Sequence, residues 1–197
     1  EEDGEPFAEK MARLTTQLSE QFEKSAPKEV WYVDLANTKN GYINEIKHFG
    51  WEEAPARARR VLTYGDTIVG TVRPGNNSFA FIGKTEQILT GSTGFAVLTP
   101  KKNDYREFIY LIGAGNANIE RLSHLADGAA YPAVRPDVVT AIECVVPEHT
   151  IIKKFSTIVA PIFDKIDYNN ITQLVLSQLR DTDRKSTRLN SSHVSQS

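Results

Sequence analysis

The sequence predicts an α+β domain, with packed helices on a twisted sheet of mixed or antiparallel strands and long helices flanking it. Short β-branched and aromatic runs fill the middle of the chain and are separated by turn residues, such as Pro-Gly-Asn-Asn at positions 74–77. Two runs with helical periodicity lie at residues 104–112 and 118–125. Strands that come first and helices that come later, without regular alternation, favour the α+β class.

The N-terminal segment, residues 1–26, is predicted to be an amphipathic helical arm. Pro6 suits the first turn of a helix, where its missing N–H costs nothing. Because an isolated helix of this length is only marginally stable in water, its apolar stripe is expected to pack against another helix. The stripe consists of side chains that recur every three or four residues: Phe7, Met11, Leu14, Leu18 and Phe22.

The middle segment, residues 27–147, carries the predicted sheet. Its strands are expected where β-branched and aromatic residues lie between turn residues. These runs are residues 30–35, 67–72, 79–82, 95–98 and 141–146.

Residues 148–182 are predicted to form a long helix that leaves the domain. Pro161 is expected to kink or interrupt it. A long helix with a continuous apolar stripe is typical of an arm that seeks a partner or joins a bundle. The stripe contains Ile151, Ile152, Phe155, Ile158, Val159, Ile162, Phe163, Ile166, Ile171, Leu174, Val175 and Leu179.

The last residues, 183–197, differ in kind from the rest of the chain. DRKSTRLNSSH, at positions 183–193, resembles the translation of a common sequencing adapter, and no apolar period continues through it. These residues are therefore predicted to be a non-native tail and are left out of the fold prediction.

Composition and charge exclude some classes of protein and leave others open. No run approaches eighteen apolar residues, so no membrane span or membrane partner is expected. The single cysteine excludes an intramolecular disulfide and fits a reducing, cytoplasmic compartment. The net charge of −2 is concentrated in residues 1–25, which hold seven acids and three bases, whereas residues 26–182 hold seventeen of each. A neutral domain neither predicts nor excludes DNA binding.

Motifs for catalysis are missing from the sequence. It contains no glycine-rich phosphate loop, no GxSxG and no HExxH, and GAGNAN at positions 113–118 lacks a third glycine. The four histidines are scattered, and Cys144 is expected to be a small buried hydrophobe in a strand. The Asn/Asp-Pro-Pro-aromatic motif with which a methyltransferase holds adenine is also missing. We therefore predict no catalytic residue, no metal site and no cofactor, and a binding role in place of an enzymatic one.

Basic and amide side chains near predicted turns are the positive signal. Arginine and lysine in loops on a rigid sheet can reach phosphates, and arginine or asparagine can pair with base edges in the major groove. The candidate DNA contacts are Arg57, Arg59, Arg60, Arg73, Asn76, Asn77, Lys101 and Lys102.

An ordered set of segments resembles one protein family. WYVDLANTKNGYI is similar to an opening strand and turn, and APARARRVLTYGDTIVGTVRPGNNSFAFI to a basic stretch, a Gly-Asp turn, a strand and an Arg-Pro. TGSTGFAVLTP, DGAAYPAVRPDVVTAIECVVP and the stretch from Asn169 through LSQLRDT follow in order. Together they resemble the target-recognition domain of a type I restriction–modification specificity subunit.

The resemblance implies a non-catalytic DNA-reading subunit. In this family two recognition domains, held apart by antiparallel conserved spacer helices, each read half of a bipartite site in double-stranded DNA. Methylation subunits dock on the helices and methylate adenine with S-adenosylmethionine, and a motor subunit cleaves unmethylated DNA. In this chain residues 27–147 would be the recognition domain and residues 148–182 the spacer helix.

The sequence departs from the family in two ways and leaves alternatives open. Only one recognition domain is present, so the chain is half a subunit, a fragment, or a form that self-associates. Residues 3–26 resemble the C-terminal helical region of a methylation subunit, and the join near Ala26-Pro27 is either a natural fusion or a misassembled gene. The alternative functions are a fragment of an adenine-N6 DNA methyltransferase and a helical protein-interaction module.

Overall fold

The computed structural model describes residues 8–10, 15–16, 29–127 and 132–194. The strands are β1 Ala8–Lys10, β2 Thr15–Thr16, β3 Glu29–Val33, β4 Thr38–Lys39, β5 Tyr42–Ile43, β6 Lys47–Gly50, β7 Ala58–Leu62, β8 Thr67–Gly70, β9 Phe79–Phe81, β10 Leu89–Ser92, β11 Phe95–Pro100 and β12 Glu143–Val145. The α-helices are α1 Arg106–Gly113, α2 Asn116–Ala126, α3 Pro136–Val139 and α4 His149–Val194. Short 3-10 helices span Leu35–Asn37, Trp51–Glu53, Pro74–Asn76 and Asn103–Tyr105.

Two four-stranded sheets form the centre of the fold. One has the order β6-β3-β10-β7 and the other the order β2-β11-β8-β9. The β3–β10 pair is parallel, and the other pairs in these two sheets are antiparallel. The predicted α+β class with mixed strands is therefore confirmed.

Strand β11 shows why the sheets stack in layers. Successive side chains of a strand point to opposite faces. Phe95 and Val97 pack into a core shared with the first sheet, whereas Ala96 and Leu98 pack into a second core. Because both faces are covered, the buried part of the strand, from Phe95 to Leu98, is apolar at every position.

The second core joins one sheet to the helices. Ile109 of α1, Leu122 of α2, Val139 of α3 and Ile152 of α4 all pack there and are almost completely buried. The molecule is thus a sandwich of two sheets with a helical layer on one outer face.

The N-terminal helix prediction is wrong for the residues that the structure describes there. Ala8–Lys10 pairs with β12, and Thr15–Thr16 pairs with β11. Strand pairing on the domain has overridden the local helical period, as tertiary contacts commonly do. All five side chains of the predicted stripe, Phe7, Met11, Leu14, Leu18 and Phe22, lie outside the described residues.

Helix α4 also differs from its prediction. It continues without interruption past Pro161, which lies on an exposed part of the helix, where water can satisfy the carbonyl of residue 157. Its backbone also runs through residues 183–194, beyond the end predicted at 182. Among the helices in the described part of the chain, none is long and apolar enough to cross a membrane.

The first half of α4 is attached to the domain by packing and by hydrogen bonds. Phe163 makes edge contacts with Phe81 of β9, and their ring centroids lie 4.9 Å apart. Asp164 accepts hydrogen bonds from Lys84 Nζ at 3.1 Å and the Tyr64 hydroxyl at 3.2 Å. Asp167 occupies the space beside Gly83, so a Cβ atom at position 83 would overlap its carboxylate. These contacts fix the direction in which the helix leaves the sheets.

We expect Asp167→Asn to change how stability depends on pH. Burial raises the pKa of the Asp167 carboxyl above its ordinary value of 3.8, although the Lys84 backbone N–H partly opposes this shift. The ionised form therefore lowers stability, and this loss develops as the pH rises from below 3.8 through the raised pKa. An asparagine stays neutral and keeps an oxygen that can accept the Lys84 N–H.

Urea unfolding of both proteins from about pH 3 to pH 7 provides the measurement. The stability of the variant relative to the parent should increase with pH. Asp66 also has a pKa raised by burial, but it is present in both proteins and cancels in the difference. A relative stability that stays constant, or that falls with pH, would contradict the assignment.

Candidate nucleic-acid interface

A polar cleft lies where the strands of both sheets end. It has a volume of about 340 Å³ and is lined by Asp34, Leu35, Ala36, Arg57, Val72, Ser92, Thr93 and Gly94. Backbone hydrogen bonds tie its walls together, since Thr93 N donates to Arg57 O and Thr71 N donates to Gly94 O, both at 2.8 Å. The cleft is therefore built on the rigid ends of strands.

Arg57 is the basic side chain of this cleft. Its Nε donates to the Tyr32 hydroxyl and its Nη2 to Asp34 Oδ2, each at 3.0 Å. The Tyr32 hydroxyl and the nearby Asp34 carboxylate raise the pKa of the guanidinium above its ordinary value. The side chain remains 61% exposed, so a fixed cation faces solvent.

The two partners of Arg57, Tyr32 and Asp34, are themselves fixed by burial and by hydrogen bonds. Tyr32 lies on β3 and is buried, and burial raises the pKa of its hydroxyl, which also hydrogen-bonds to the Ser92 side chain. Asp34 follows the end of β3, and its Oδ1 accepts the Leu35 N–H at 2.8 Å at the start of the 3-10 helix. Asp34 thus caps a helix with one oxygen and orients Arg57 with the other.

The turn at residues 73–77 extends beyond one wall of the cleft. Arg73 and Asn77 both have left-handed backbone conformations, with φ of 47° and 57°. Arg73 N donates to Pro132 O, and Asn77 O accepts the Asn40 N–H, both at 2.8 Å. Arg73 and Asn76 are exposed and Asn77 is half-buried. The turn presents one cation and one amide from a fixed backbone.

Arg59 and Arg60 do not lie in a loop, as was predicted, but in strand β7. β7 is an edge strand of its sheet, a position at which charged side chains are common. The Arg59 guanidinium lies 5.2 Å from the centroid of the Trp51 ring, and Arg60 is half-buried opposite Gly91. Arg59 therefore packs on Trp51, away from Arg57 and its partners Tyr32 and Asp34.

Lys101 and Lys102 lie at the other end of β11 from the cleft. Phe95 pairs with Gly70 beside the cleft, and Leu98 pairs with Thr67 farther along the strand. Six residues of strand span about 20 Å. The structure therefore brings Arg57 near the turn at residues 73–77 and leaves these two lysines apart.

The prediction from sequence missed the residues that orient Arg57. Tyr32 and Asp34 were assigned to a strand, and Ser92 and Thr93 to the region before a strand, without a functional role. The available signal was the spacing of Tyr32 and Asp34, which places both on one face of an extended segment.

Another concave surface among the described residues lacks charged side chains that could contact DNA. A groove of about 430 Å³ between β5 and α4 is lined by Tyr42, Ile43, Asn44, Asn170, Gln173 and Leu174, none of which is charged. The described residues contain no group of three or more metal-ligating side chains.

Comparisons with known proteins agree with the resemblance found in the sequence. No protein-family model matches. The chain is 23% identical over 169 residues to the specificity subunit of the type I restriction enzyme HindI from Haemophilus influenzae, a match that covers 84% of this chain. The resemblance to type I specificity subunits is confirmed.

The fold of this chain is also similar to that of solved structures. One, from work on complex assembly and conformational transition of the type I R-M system, has a TM-score of 0.66 and 24% identity over 92% of this chain. The HsdS subunit of Thermoanaerobacter tengcongensis has a TM-score of 0.65 and 22% identity over the same share. This chain spans 37% of the HindI subunit and 46% of each solved chain. The resemblance of residues 3–26 to a methylation subunit is tested by none of these matches and stays a prediction.

Proposed function

We propose that this chain reads a DNA sequence as part of a type I specificity subunit and directs adenine methylation and restriction by partner subunits. The observation that carries the proposal is that Arg57, fixed at the cleft by two hydrogen bonds, lies beside the basic turn at residues 73–77. Both are built on a fold similar to that of these subunits. Since the chain spans less than half of these relatives, it would read one half of a bipartite site.

The reading edge would consist of Arg57 and the turn at residues 73–77. Base readout needs side chains held in register with base edges, and phosphate contacts set that register. Arg57 is held by two hydrogen bonds, whereas Arg73 forms no ion pair with any residue that the structure describes. Lys101 and Lys102 would at most touch the backbone of a longer duplex.

The chain would supply recognition without catalysis, and its partners would carry out the reaction. The outer face of α4 exposes large apolar side chains, including Ile158 at 70%, Ile162 at 54% and Ile166 at 47%. Exposed apolar surface of this extent is typical of an interaction site. The proposal assigns methylation subunits to α4. A motor or nuclease subunit and a second half-subunit are its further partners.

The domain boundaries proposed from sequence are a recognition domain at residues 27–147 and a spacer helix at residues 148–182. The start of α4 at His149 supports the boundary between residues 147 and 148. The origin of residues 183–197 as an adapter-derived tail remains part of the proposal.

A selection from random duplexes tests the proposed function directly. The full chain should enrich one short sequence, and its affinity should fall as the salt concentration rises, because phosphate contacts release counterions. A folded protein that enriches no sequence would contradict the proposal. Calorimetric titration with S-adenosylmethionine should give no heat, whereas binding would favour the methyltransferase alternative.

We expect Arg73→Ala to weaken binding to all duplexes by a similar factor. An exposed cation without an ion-pair partner among the described residues is suited to a phosphate. Its loss should lower the slope of log affinity against log salt by about 1. Alanine introduces no new backbone strain, since arginine already occupies the left-handed conformation there.

Lys102→Ala is the matched control for Arg73→Ala. It also removes one exposed cation, but at the far end of β11. Fluorescence anisotropy over a salt series should leave its slope close to that of the parent. Equal slopes for the two variants would contradict the placement of the reading edge.

A further inference from the structure

The hydrogen bonds of Arg57 occupy one side of its guanidinium. An arginine has five N–H donors in a planar fork. One donor on Nε and one on Nη2 are used by Tyr32 and Asp34. Both hydrogens of Nη1 and the second of Nη2 have no partner among the residues that the structure describes. The terminal edge of the fork is therefore left to a ligand in the cleft.

The charge of Arg57 is offset by its neighbour. Asp34 Oδ2 lies 3.0 Å from Nη2, so the pair presents directed donors with little net charge. A phosphate contact draws its strength from uncompensated charge and needs little directionality. A compensated and oriented fork suits hydrogen bonding to a base edge.

The support beneath the pair is buried. Tyr32 and Ser92 are each 1% exposed, and they hydrogen-bond to each other under the cleft. The Tyr32 hydroxyl therefore cannot follow a moving guanidinium. Rigid positioning of this kind lets a binding site distinguish one base from another.

We propose that Arg57 reads one guanine of the DNA half-site and that Tyr32 and Asp34 are the positioning residues that aim it, an inference that rests on the proposed function. The two donors of the terminal edge match the O6 and N7 acceptors that guanine presents in the major groove. Adenine presents a donor beside its acceptor and does not match both.

The test compares sequence preferences selected by the parent and by variants of the full chain. Arg57→Lys keeps the charge but loses the fork, so it should lose about 5- to 150-fold of the preference for guanine at one position. Other positions of the selected sequence and the slope against salt should stay unchanged. Tyr32→Phe retains Arg57 and should lose about 2- to 10-fold at the same position, without effect elsewhere.

Arg59→Lys is the matched control, because it makes the same substitution at an arginine that packs on Trp51, away from the proposed reading edge. It should retain the preference at every position. If the parent enriches no sequence, the proposed function itself fails. If the parent enriches a sequence and Arg57→Lys keeps all of its preferences, the assignment of Arg57 is overturned.

Two further outcomes decide the remaining cases. Should Arg57→Ala weaken all sequences equally and lower the salt slope by about 1, Arg57 would be a phosphate contact and the inference would be wrong. If Arg57→Lys binds no DNA, the Tyr32→Phe variant provides the test. A Tyr32→Phe variant whose sequence preference is unchanged at every position would also overturn the inference.

Discussion

Replacing Ile152 by alanine is expected to lower the free energy of unfolding by about 2–5 kcal/mol. Ile152 is 1% exposed and packs with α1, α2 and α3 in the core beneath one sheet. The substitution removes buried apolar surface and leaves a cavity, and both effects destabilise the folded state. Because Ile152 lies in the first turn of α4, the same change should loosen the attachment of the helix.

Ile158→Ala is the control on the same helix. Ile158 is 70% exposed, so the same substitution should change stability by no more than about 0.5 kcal/mol. Urea unfolding at low protein concentration, followed by circular dichroism, measures both variants without a contribution from assembly. Similar losses for the two would show that the burial of α4 is assigned to the wrong face.

Phe95→Ala is expected to cost about 3–5 kcal/mol. Phe95 is fully buried between the two sheets, where it packs with Leu62, Ile68 and Val97. It also directly follows Gly94, whose carbonyl accepts hydrogen bonds from the N–H and from the hydroxyl of Thr71. Loss of the ring should therefore weaken the contact between the sheets and loosen the wall of the cleft.

Two companion variants separate these effects. Phe95→Leu retains most of the apolar surface and should lose less stability than Phe95→Ala. Phe49→Ala removes a half-buried ring on the outer face of the other sheet and should also cost less. If thermal unfolding shows Phe49→Ala to be the most damaging of the three, the core between the sheets is not the main source of stability.

The prediction of strands from sequence succeeded where an apolar or aromatic run marks the strand, and it missed the charged edge strands β6 and β7. The run at residues 95–98 is apolar on both faces and lies between Gly94 and Pro100, so its signal is strong. Strands β6 and β7 contain Lys47, Arg59 and Arg60, because edge strands tolerate charge, and they lack the apolar run used to find strands.

Strand β10 was missed for a different reason. Its sequence, LTGS, carries small and polar residues although all four are buried between β3 and β7. Their burial comes from partners that lie 27 or more residues away in the chain, as the pairings of Leu89 with Trp31 and Leu62 show. Local periodicity does not contain this information.

The candidate site was only partly predictable for the same reason. Basic residues near predicted turns identified Arg57 and Arg73. The network that holds Arg57, however, joins it to residues 23 and 25 positions away in the chain. These residues meet because β10 pairs with both β3 and β7, which brings the end of β3 and the start of β7 beside Ser92 and Thr93. Lys101 and Lys102 were grouped with the others because their distance along β11 is visible only in the fold.

The backbone of the turn at residues 73–77 is held by main-chain hydrogen bonds to Pro132 and Asn40, which depend little on the side chains that the turn displays. Gly75 is different, since a Cβ atom there would lie 3.0 Å from Ser123 Oγ on α2. A library that varies Arg73 and Asn76 while keeping Gly75 would therefore sample new displayed chemistry on an unchanged scaffold. The turn is a natural starting point for engineering altered sequence preference.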